Sequence, residues 1–326
     1  MRASVRIIPV SAKVVNVAKV PQRSPFRYPG GKTWLVPYLR VWLRSLYRRP
    51  RVFVEPFAGG AITGLTVAAE GLARQVVLCE LDEGVAAVWE TILGGDHEWL
   101  VERILSFPIN RDRVISTLNT PARSRREVAF QTLLRNRVHR GGILAPGATL
   151  VKNGENGKGV ASRWYPETLA NRIRAIASLN SRITFVRGDG LELVRRYCRQ
   201  TSAAIFADPP YTAGGKRAGR RLYAHNEIDH EKLFDLMSKA RGAVMLTYDE
   251  SEEVRRLAGR YKFQVEEVPM KNAHHAVMRE LVITNFGSCL DLTEARRQAA
   301  FLVKSLNSRR GHHATSGDTR AFRPQA

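Results

Sequence analysis

The sequence predicts an α/β fold built on a doubly wound, mostly parallel β-sheet. Three observations support this prediction. Short apolar runs alternate with helical patterns, the last two such runs follow each other with no helix between them, and the alternation stops between residues 106 and 181. Runs that are apolar throughout are typical of strands buried on both faces, and their alternation with helices is typical of parallel sheets. The interruption predicts an inserted region of helices and loops.

The apolar runs predict seven strands. Five of these strands, at residues 52–55, 76–80, 182–186, 203–207 and 243–248, each precede a helical pattern. The corresponding helices are predicted at residues 61–73, 83–93, 191–199, 230–241 and 250–260, and a basic first helix is expected from about Lys32 to Leu46. The runs at 263–270 and 280–286 are joined by a loop that contains His274 and His275. We therefore expect an antiparallel C-terminal hairpin at one edge of the sheet.

The chain is divided into parts by its composition. We expect a basic N-terminal arm at 1–25, an α/β domain formed by 26–105 and 182–290, the insertion at 106–181, a C-terminal helix at 291–306 and a disordered basic tail at 307–326. Residues 1–51 hold twelve Lys or Arg, and the first acidic residue is Glu55. The insertion contains a glycine-rich stretch without periodic apolar residues, which predicts a surface loop that carries a binding function.

The composition indicates a basic protein that can form a hydrophobic core. Of its 326 residues, 44% are hydrophobic, and 52 Lys plus Arg against 30 Asp plus Glu leave a formal net charge of +22. Such a charge attracts polyanions, so nucleic acid is the expected class of partner. A solvated basic surface without a specific partner is the alternative that charge alone leaves open.

The three cysteines, Cys79, Cys198 and Cys289, are widely separated and form no metal-ligand pattern. Their number and spacing predict a reducing compartment and no metal site. No apolar run reaches the length of about 18 residues that a membrane span needs. We therefore expect a soluble, cytoplasmic protein.

The first candidate site follows the predicted strand at 52–55. Residues 57–64 read Phe-Ala-Gly-Gly-Ala-Ile-Thr-Gly, and glycines at a strand-to-helix turn let a ligand approach the backbone. Glu80 ends the next strand, about 20 residues further on, where an acid commonly binds the ribose of a nucleoside. An ordinary tight turn followed by a surface acid is the alternative.

The second candidate site is the turn before the first predicted helix. Gly30-Gly31-Lys32-Thr33 ends like a phosphate-binding loop, but Phe26 stands where that motif requires glycine. Lys32 is therefore expected to face an anionic group, and a simple helix entry is the alternative.

The third candidate site is Asp208-Pro209-Pro210-Tyr211, at the carboxyl end of the strand predicted at 203–207. Ligands of open α/β sheets bind at the carboxyl ends of the strands. The two prolines stiffen the turn and leave carbonyl groups available as acceptors, and Tyr211 adds a planar face. Acceptors beside an aromatic plate suit a planar base with an exocyclic amine, such as adenine. A rigid strand-end turn is the alternative.

The order of these motifs resembles the Dam-type DNA adenine-N6 methyltransferases, which use S-adenosylmethionine. The resemblance covers residues 26–286. It consists of RYPGGK at 27–32, VEPFAGGA at 54–61, CELDE at 79–83, RNR at 135–137, GDG at 188–190, DPPY at 208–211 and ELVI at 280–283. It implies the S-adenosylmethionine-dependent methyltransferase fold, with residues 106–181 as the target-recognition region.

The resemblance also implies roles for individual residues. The catalytic residues would be Asp208, Pro209, Pro210 and Tyr211. The cofactor-binding residues would be Tyr28, Gly31, Lys32, Pro56, Phe57, Ala58, Gly59, Gly60, Glu80, Leu81, Asp189, Gly190 and Asp208. Among them, Glu80 would bind the ribose and Asp189 the adenine of S-adenosylmethionine. Ala61 stands where many members have glycine, and Thr247-Tyr248 replaces a Ser-Asn pair, so the latter is assigned no role.

The expected partner is double-stranded DNA, with the target adenine flipped out of the helix. The residues expected to contact DNA are Arg135, Asn136, Arg137, Arg140, Lys152, Lys158, Arg163, Arg217 and Arg221. The expected function is a site-specific DNA adenine-N6 methyltransferase of phage or restriction-modification type, a monomer in the simplest case, associated with the nucleoid through DNA. The alternatives are an amino-methyltransferase acting on cytosine N4 or RNA, a catalytically silent DNA-binding relative, and a nucleotide-dependent oxidoreductase.

Overall fold

A computed structural model of the chain describes residues 15–27, 31–210, 228–271 and 277–285. Within these residues, seven strands form one sheet. The strands are β1 (Val52–Glu55), β2 (Gln75–Glu80), β3 (Ile183–Arg187), β4 (Ala203–Ala207), β5 (Ala243–Asp249), β6 (Gln264–Lys271) and β7 (Val277–Thr284).

The strand order is β3-β2-β1-β4-β5-β7-β6. Strands β1 to β5 pair in parallel, whereas β7 is antiparallel to both β5 and β6. This arrangement confirms the predicted architecture: a doubly wound, mostly parallel sheet with a C-terminal antiparallel hairpin. The chain builds one half of the sheet from β1 towards β3 and then returns to add β4 beside β1. The border between β1 and β4 is therefore the topological switch point.

The helices are α1 (Val36–Ser45), α2 (Ile62–Glu70), α3 (Glu83–Leu93), α4 (His97–Leu105), α5 (Arg111–Asn119), α6 (Arg125–Val138), α7 (Pro166–Ala177), α8 (Gly190–Tyr197), α9 (His230–Ser238) and α10 (Glu252–Arg260). Helices α8, α9 and α10 bury Val194, Phe234 and Leu257 against one face of the sheet. Helices α2 and α3 contact the sheet at β1, β2 and β3, and α1 packs beside α2. Because both faces are covered, the central strands have to be apolar throughout, as the sequence pattern required.

The helix ends differ from the predictions for local reasons. Helix α2 stops at Glu70 because Gly71 takes a left-handed conformation, with φ of +63°, at its C-terminus. Asp189 and Ser251 accept hydrogen bonds from backbone N–H groups of α8 and α10, and so set where these helices begin. The first helix is shorter than expected, because residues 32–35 form a 3₁₀ turn and α1 begins only beside Pro37.

The inserted residues combine helices with irregular loops. Helix α6 packs along α3, and α7 packs along α4. Between α6 and α7 the chain forms short 3₁₀ turns and one isolated bridge between His139 and Leu150, in agreement with the surface loop expected there. The division of the chain into domains at 106 and 181 stays a prediction.

Some predictions lie outside the described residues. They concern most of the N-terminal arm, Tyr28, Tyr211, Arg217, Arg221, His274, His275, Cys289, the helix at 291–306 and the tail at 307–326. Within the described ranges, Cys79 and Cys198 are buried and free. No described helix has the length and apolarity needed to cross a membrane.

Candidate active site

A cavity of about 1030 Å³ opens at the carboxyl ends of the central strands. Its wall includes residues from all three candidate motifs, which are far apart in the sequence: Gly31 and Lys32, the loop from Pro56 to Gly60, and Asp208 with Pro210. Open α/β sheets bind ligands at this edge, beside the switch point between β1 and β4. The position of the cavity therefore follows from the topology of the sheet.

Polar groups line the cavity in the order of the strands that carry them. Asp189 follows β3, Glu80 ends β2, the 56–60 loop follows β1 and Asp208 follows β4. Neighbouring strands are about 4.8 Å apart, so three such intervals span about 14 Å. A row of this length suits an elongated ligand that extends along the edge of the sheet, with a different part of the ligand at each strand.

The 56–60 loop is held by backbone contacts on both sides. Ala58 donates a hydrogen bond from its backbone N–H to the carbonyl of Cys79 on β2, at 2.8 Å. The indole Nε1 of the buried Trp89 on α3 donates to the carbonyl of Gly59, at 3.0 Å. Gly59 and Ala61 both have positive φ angles, of 46° and 49°. Because a left-handed residue with a side chain costs roughly 1–2 kcal/mol, the tight turn explains why glycine would be favoured at position 61.

Glu80 connects β2 to this loop through its carboxylate. Oε2 accepts a hydrogen bond from the Gly59 N–H at 2.8 Å, and Oε1 accepts from the N–H groups of Leu81 at 2.8 Å and Asp82 at 2.9 Å. Burial raises the pKa of Glu80, and these backbone donors oppose that rise. Beside it, the Leu81 side chain is 47% exposed and lines the cavity. An acceptor group and an apolar surface thus adjoin each other, as binding of a nucleoside requires.

Asp189 and Gly190 form the start of α8 at the next position in the row. Asp189 Oδ1 accepts a hydrogen bond from the Leu191 N–H at 2.8 Å, which fixes the carboxylate at the cavity wall. A Cβ at Gly190 would lie 2.4 Å from the Pro56 carbonyl oxygen and 2.5 Å from Phe57 Cε1. Only glycine allows the helix to approach the 56–60 loop this closely.

Asp208 lies in a network of charged and polar side chains. Lys32 Nζ is 3.1 Å from Asp208 Oδ1 and 3.3 Å from Glu280 Oε2. Thr247 on β5 donates a hydrogen bond from its hydroxyl to the same Asp208 oxygen, at 2.8 Å. Lys32 and Glu280 are buried, whereas Asp208 is partly exposed to the cavity. Lys32 and Thr247 therefore orient a carboxylate that a ligand can still reach.

Two buried glutamates surround Asp208. Burial, the largest effect on both, together with the Asp208 charge raises the pKa of Glu280 to about 7 and the pKa of Glu55 to about 8. Lys32 opposes the rise at Glu280, while Thr63 and Gly64 donate hydrogen bonds to Glu55. The protonation of these two glutamates thus limits the negative charge that collects around Asp208 near neutral pH.

Most of the residues assigned to the cofactor meet at this cavity. Its wall contains Gly31, Lys32, Pro56, Phe57, Ala58, Gly59, Gly60, Glu80, Leu81, Asp189, Gly190 and Asp208. Of the predicted catalytic residues, Pro210 lines the cavity and Pro209 is buried next to it. Their roles towards a ligand remain predictions.

Two residues predicted to contact DNA are buried. Asn136 is fully buried and donates hydrogen bonds to the carbonyls of Arg27 at 2.9 Å and Gly142 at 2.8 Å, while accepting one from the Arg27 N–H at 2.8 Å. Arg137 is 6% exposed and donates to the Pro25 carbonyl. Direct contact of Asn136 with DNA was therefore a wrong expectation, because backbone groups already use its donors and its acceptor.

The other residues of that prediction differ in exposure. Arg140, Lys152 and Lys158 are exposed, and Arg135 is half-buried. Arg163 is half-buried and lines the cavity.

Several functional candidates were missed at the level of sequence. Four residues contact a predicted site residue or loop: Thr247, Glu280, Glu55 and Trp89. The sequence contains only a weak signal for their roles. An acid at the end of a strand that is apolar elsewhere, as in VFVE or ELVI, predicts a buried carboxyl group that needs a partner. The identity of the partner depends on the fold. In the part of the chain that the structure describes, no group of three or more His, Cys, Asp or Glu could hold a metal ion.

Comparison with known proteins adds no family assignment. No family model matches the chain, and no curated protein matches it. Similar solved structures include a Pyrococcus horikoshii protein provisionally named an RNA methyltransferase, with 11% identity over 82% of this chain and 92% of that one, at a TM-score of 0.37. The rRNA methyltransferase aviRa from Streptomyces viridochromogenes has 12% identity over 87% and 96% of the chains, at 0.36. Precorrin-6y C5,15-methyltransferase from Geobacter metallireducens has 10% identity over 77% and 87%, at 0.33. Likeness at this level assigns no activity to the chain.

The close approach at Gly190 predicts the effect of a single methyl group. Gly190→Ala should destabilise the protein by about 1–3 kcal/mol, because the added Cβ overlaps Pro56 and Phe57. Chemical denaturation measures this change. Gly259→Ala on α10 is the matched control, since no atom lies within 4 Å of its added Cβ, and it should stabilise the helix by about 0.5–1 kcal/mol. Equal effects of the two substitutions would contradict the packing described here.

The raised pKa of Glu55 predicts a pH dependence of stability. The folded chain binds this proton more strongly than the unfolded chain between about pH 4.5 and pH 8, so stability is lost as the pH rises through that window. Glu55→Gln mimics the protonated form and should flatten the dependence by up to about 1.4 kcal/mol per pH unit. Urea denaturation at several pH values tests this. The exposed Glu167→Gln serves as control and should leave the slope unchanged.

Proposed function

We propose that the chain is an S-adenosylmethionine-dependent methyltransferase that acts on the N6 amine of adenine in double-stranded DNA. The proposal is carried by one arrangement: Asp208 of the Asp-Pro-Pro-Tyr motif shares a cavity with Glu80 and Asp189, and Lys32 and Thr247 hold its carboxylate. The sheet topology and the order of the motifs support it.

The residues along the sheet edge fit S-adenosylmethionine. Asp189 and the apolar side chain of Leu81 suit an adenine, the Glu80 carboxylate suits two ribose hydroxyls, and the 56–60 loop suits a small polar chain that approaches the backbone closely. When bound, S-adenosylmethionine supplies an electrophilic methyl group on a sulfonium. The protein's own contribution is to bind this group beside Asp208 and to exclude water from it.

Asp208 and the Pro209 carbonyl would accept the two hydrogens of the target amine. The lone pair of an adenine amine is delocalised into the ring, so the nitrogen has to become tetrahedral as it attacks. The new nitrogen–carbon bond would form as the carbon–sulfur bond breaks, the thioether would leave, and the methylated amine would lose one of its two hydrogens as a proton to solvent. Acceptors placed for the tetrahedral geometry stabilise the transition state more than the ground state. The contacts of Lys32 and Thr247 with Oδ1 restrict the rotation of the Asp208 carboxylate, so the acceptor would be oriented before the target arrives.

Binding of duplex DNA would require the target base to leave the helix, because the carboxylate lies inside the cavity. The exposed residues Arg140, Lys152 and Lys158 of the insertion are suited to the DNA backbone. An amine on cytosine N4 or on an RNA base would satisfy the same two acceptors. Identification of the methylated nucleoside separates these substrates.

Asp208→Asn should lower the single-turnover rate of methyl transfer by roughly 100- to 1,000-fold, as does the loss of other preorganised groups of this kind. The substitution keeps the size of the side chain but presents a donor towards an amine hydrogen. The assay measures tritiated methyl transfer to mixed-sequence duplex DNA, followed by digestion to nucleosides. Asp112→Asn, at an exposed position on α5, is the matched control.

The wild type and Asp112→Asn should both form N6-methyladenine. Formation of N4-methylcytosine, or activity only on RNA, would replace the proposed substrate. Normal activity of Asp208→Asn would remove this residue from the mechanism.

Glu80→Gln should weaken S-adenosylmethionine binding by roughly 10- to 150-fold. The expected loss corresponds to charge-assisted hydrogen bonds worth about 1.5–3 kcal/mol. Gln keeps one acceptor oxygen, and its amide NH2 group then faces either the Gly59 N–H or the N–H groups of Leu81 and Asp82, so chemical denaturation of the variant is measured alongside to separate a loss of stability from a loss of ribose contacts. Isothermal calorimetry measures the affinity without DNA, with the exposed Glu167→Gln as control. An affinity equal to that of the wild type would contradict ribose binding by Glu80.

A further inference from the structure

Four arginines line the cavity, and none of them is among the residues assigned to the cofactor. They are Arg27, Arg137, Arg163 and Arg172. Arg27 belongs to the segment before the Gly-Gly-Lys turn, and the other three belong to the insertion. The acids of the cavity come largely from the carboxyl ends of the strands, as Glu80, Asp189 and Asp208 do. The cavity therefore has an acidic part at the sheet and a basic part formed with the insertion.

Backbone contacts hold this arginine cluster in place. Arg172 Nη1 donates to the Ser24 carbonyl at 3.1 Å, and Arg137 Nη2 donates to the Pro25 carbonyl. The backbone of Arg27 is fixed by Asn136, the neighbour of Arg137 on α6. The fold therefore fixes the position of the cluster, since backbone carbonyls and Asn136 bind three of its four arginines.

Arg137 has donor capacity that the protein does not use. Its side chain is 6% exposed, and its Nε has no hydrogen-bond partner. Among the residues that the structure describes, no salt bridge is made by Arg27, Arg137 or Arg172. A buried guanidinium without an anion is costly, so the site favours a ligand that brings negative charge.

The arginines are close enough to affect one another. Burial, together with the charges of Arg172 and Arg27, lowers the pKa of Arg137 to about 10. Burial and the Arg163 charge likewise lower the pKa of Arg27. An anion bound among them would relieve both the desolvation and the mutual repulsion.

We propose that Arg27, Arg137, Arg163 and Arg172 form a binding site for a backbone phosphate of the nucleic-acid substrate, inside the cavity that takes the target base. The site rests on the proposed function and adds to it a contact inside the cavity. It would hold the strand beside the flipped nucleotide. Guanidinium groups bind phosphate oxygens through paired N–H donors, which gives the contact a fixed geometry.

Phosphate is favoured over the carboxylate of S-adenosylmethionine by charge. The amino acid end of that molecule carries an ammonium beside its carboxylate, so its net charge cannot offset several guanidiniums. A nucleotide within a strand has a negatively charged phosphate on each side. Three of the four arginines also lie in the insertion, whose exposed loop carries the other cations suited to DNA.

The experiment measures binding of the full chain to a short fluorescent oligodeoxythymidine with one central adenine, across a range of salt concentrations. Arg27→Gln and Arg172→Gln should each weaken binding by about tenfold and reduce the slope of log affinity against log salt by about 0.7, the value for one single-strand phosphate contact. Arg172→Lys retains the charge and should retain the slope. Arg113→Gln is the control, because it removes the same charge from an exposed position on α5 outside the cavity.

S-adenosylmethionine binding by calorimetry is the second measurement. The two Gln variants should bind it as the wild type does. Reduced S-adenosylmethionine affinity with unchanged oligonucleotide binding would assign the cluster to the cofactor carboxylate and overturn the proposal, as would equal effects of Arg113→Gln and Arg27→Gln. Both measurements are independent of methyl transfer, so failure of the proposed activity is detected separately.

Discussion

The buried ammonium of Lys32 is the constraint around which the site is organised. It contacts carboxylates from two distant elements, Asp208 after β4 and Glu280 on β7. A buried charge is tolerated only when it is paired, and removal of one partner leaves an uncompensated ion that costs several kcal/mol. Lys32 therefore connects the turn before α1 to two strands of the half of the sheet that begins with β4. The orientation of Asp208 depends on that connection.

The surroundings of this ion pair explain why so many acids can collect in one place. Glu55, Asp208 and Glu280 would repel one another strongly if all were charged. The raised pKa values of Glu55 and Glu280 allow protons to replace part of that charge. The cavity can thus keep Asp208 as an acceptor without an equal number of buried cations.

The sequence was sufficient to predict the sheet, because apolar runs such as AAIFA and AVMLTY report burial on both faces directly. It also located the glycine loop, Glu80 and the Asp-Pro-Pro-Tyr turn, since each follows a strand and the carboxyl ends of parallel strands share one edge. The sequence did not predict the contacts between distant segments. The bond between Arg27 and Asn136 joins residues 109 positions apart, and the charge of Arg137 suggested an exposed contact where the fold buries it. Thr247 was assigned no role because only the register of β4 against β5 places it beside Asp208.

The contacts of α6 and α7 with residues 24–27 bear on how the chain could be re-engineered. Asn136 and Arg137 bind the backbone that leads into the Gly-Gly-Lys turn, so the insertion is also part of the scaffold of the site. Exchange of the whole insertion for an unrelated one would remove this support and leave the Pro25 and Arg27 carbonyls without their donors. A chimera that keeps α6 and α7 and replaces only the loop at residues 144–161 retains the support. That loop is therefore the natural unit for exchange.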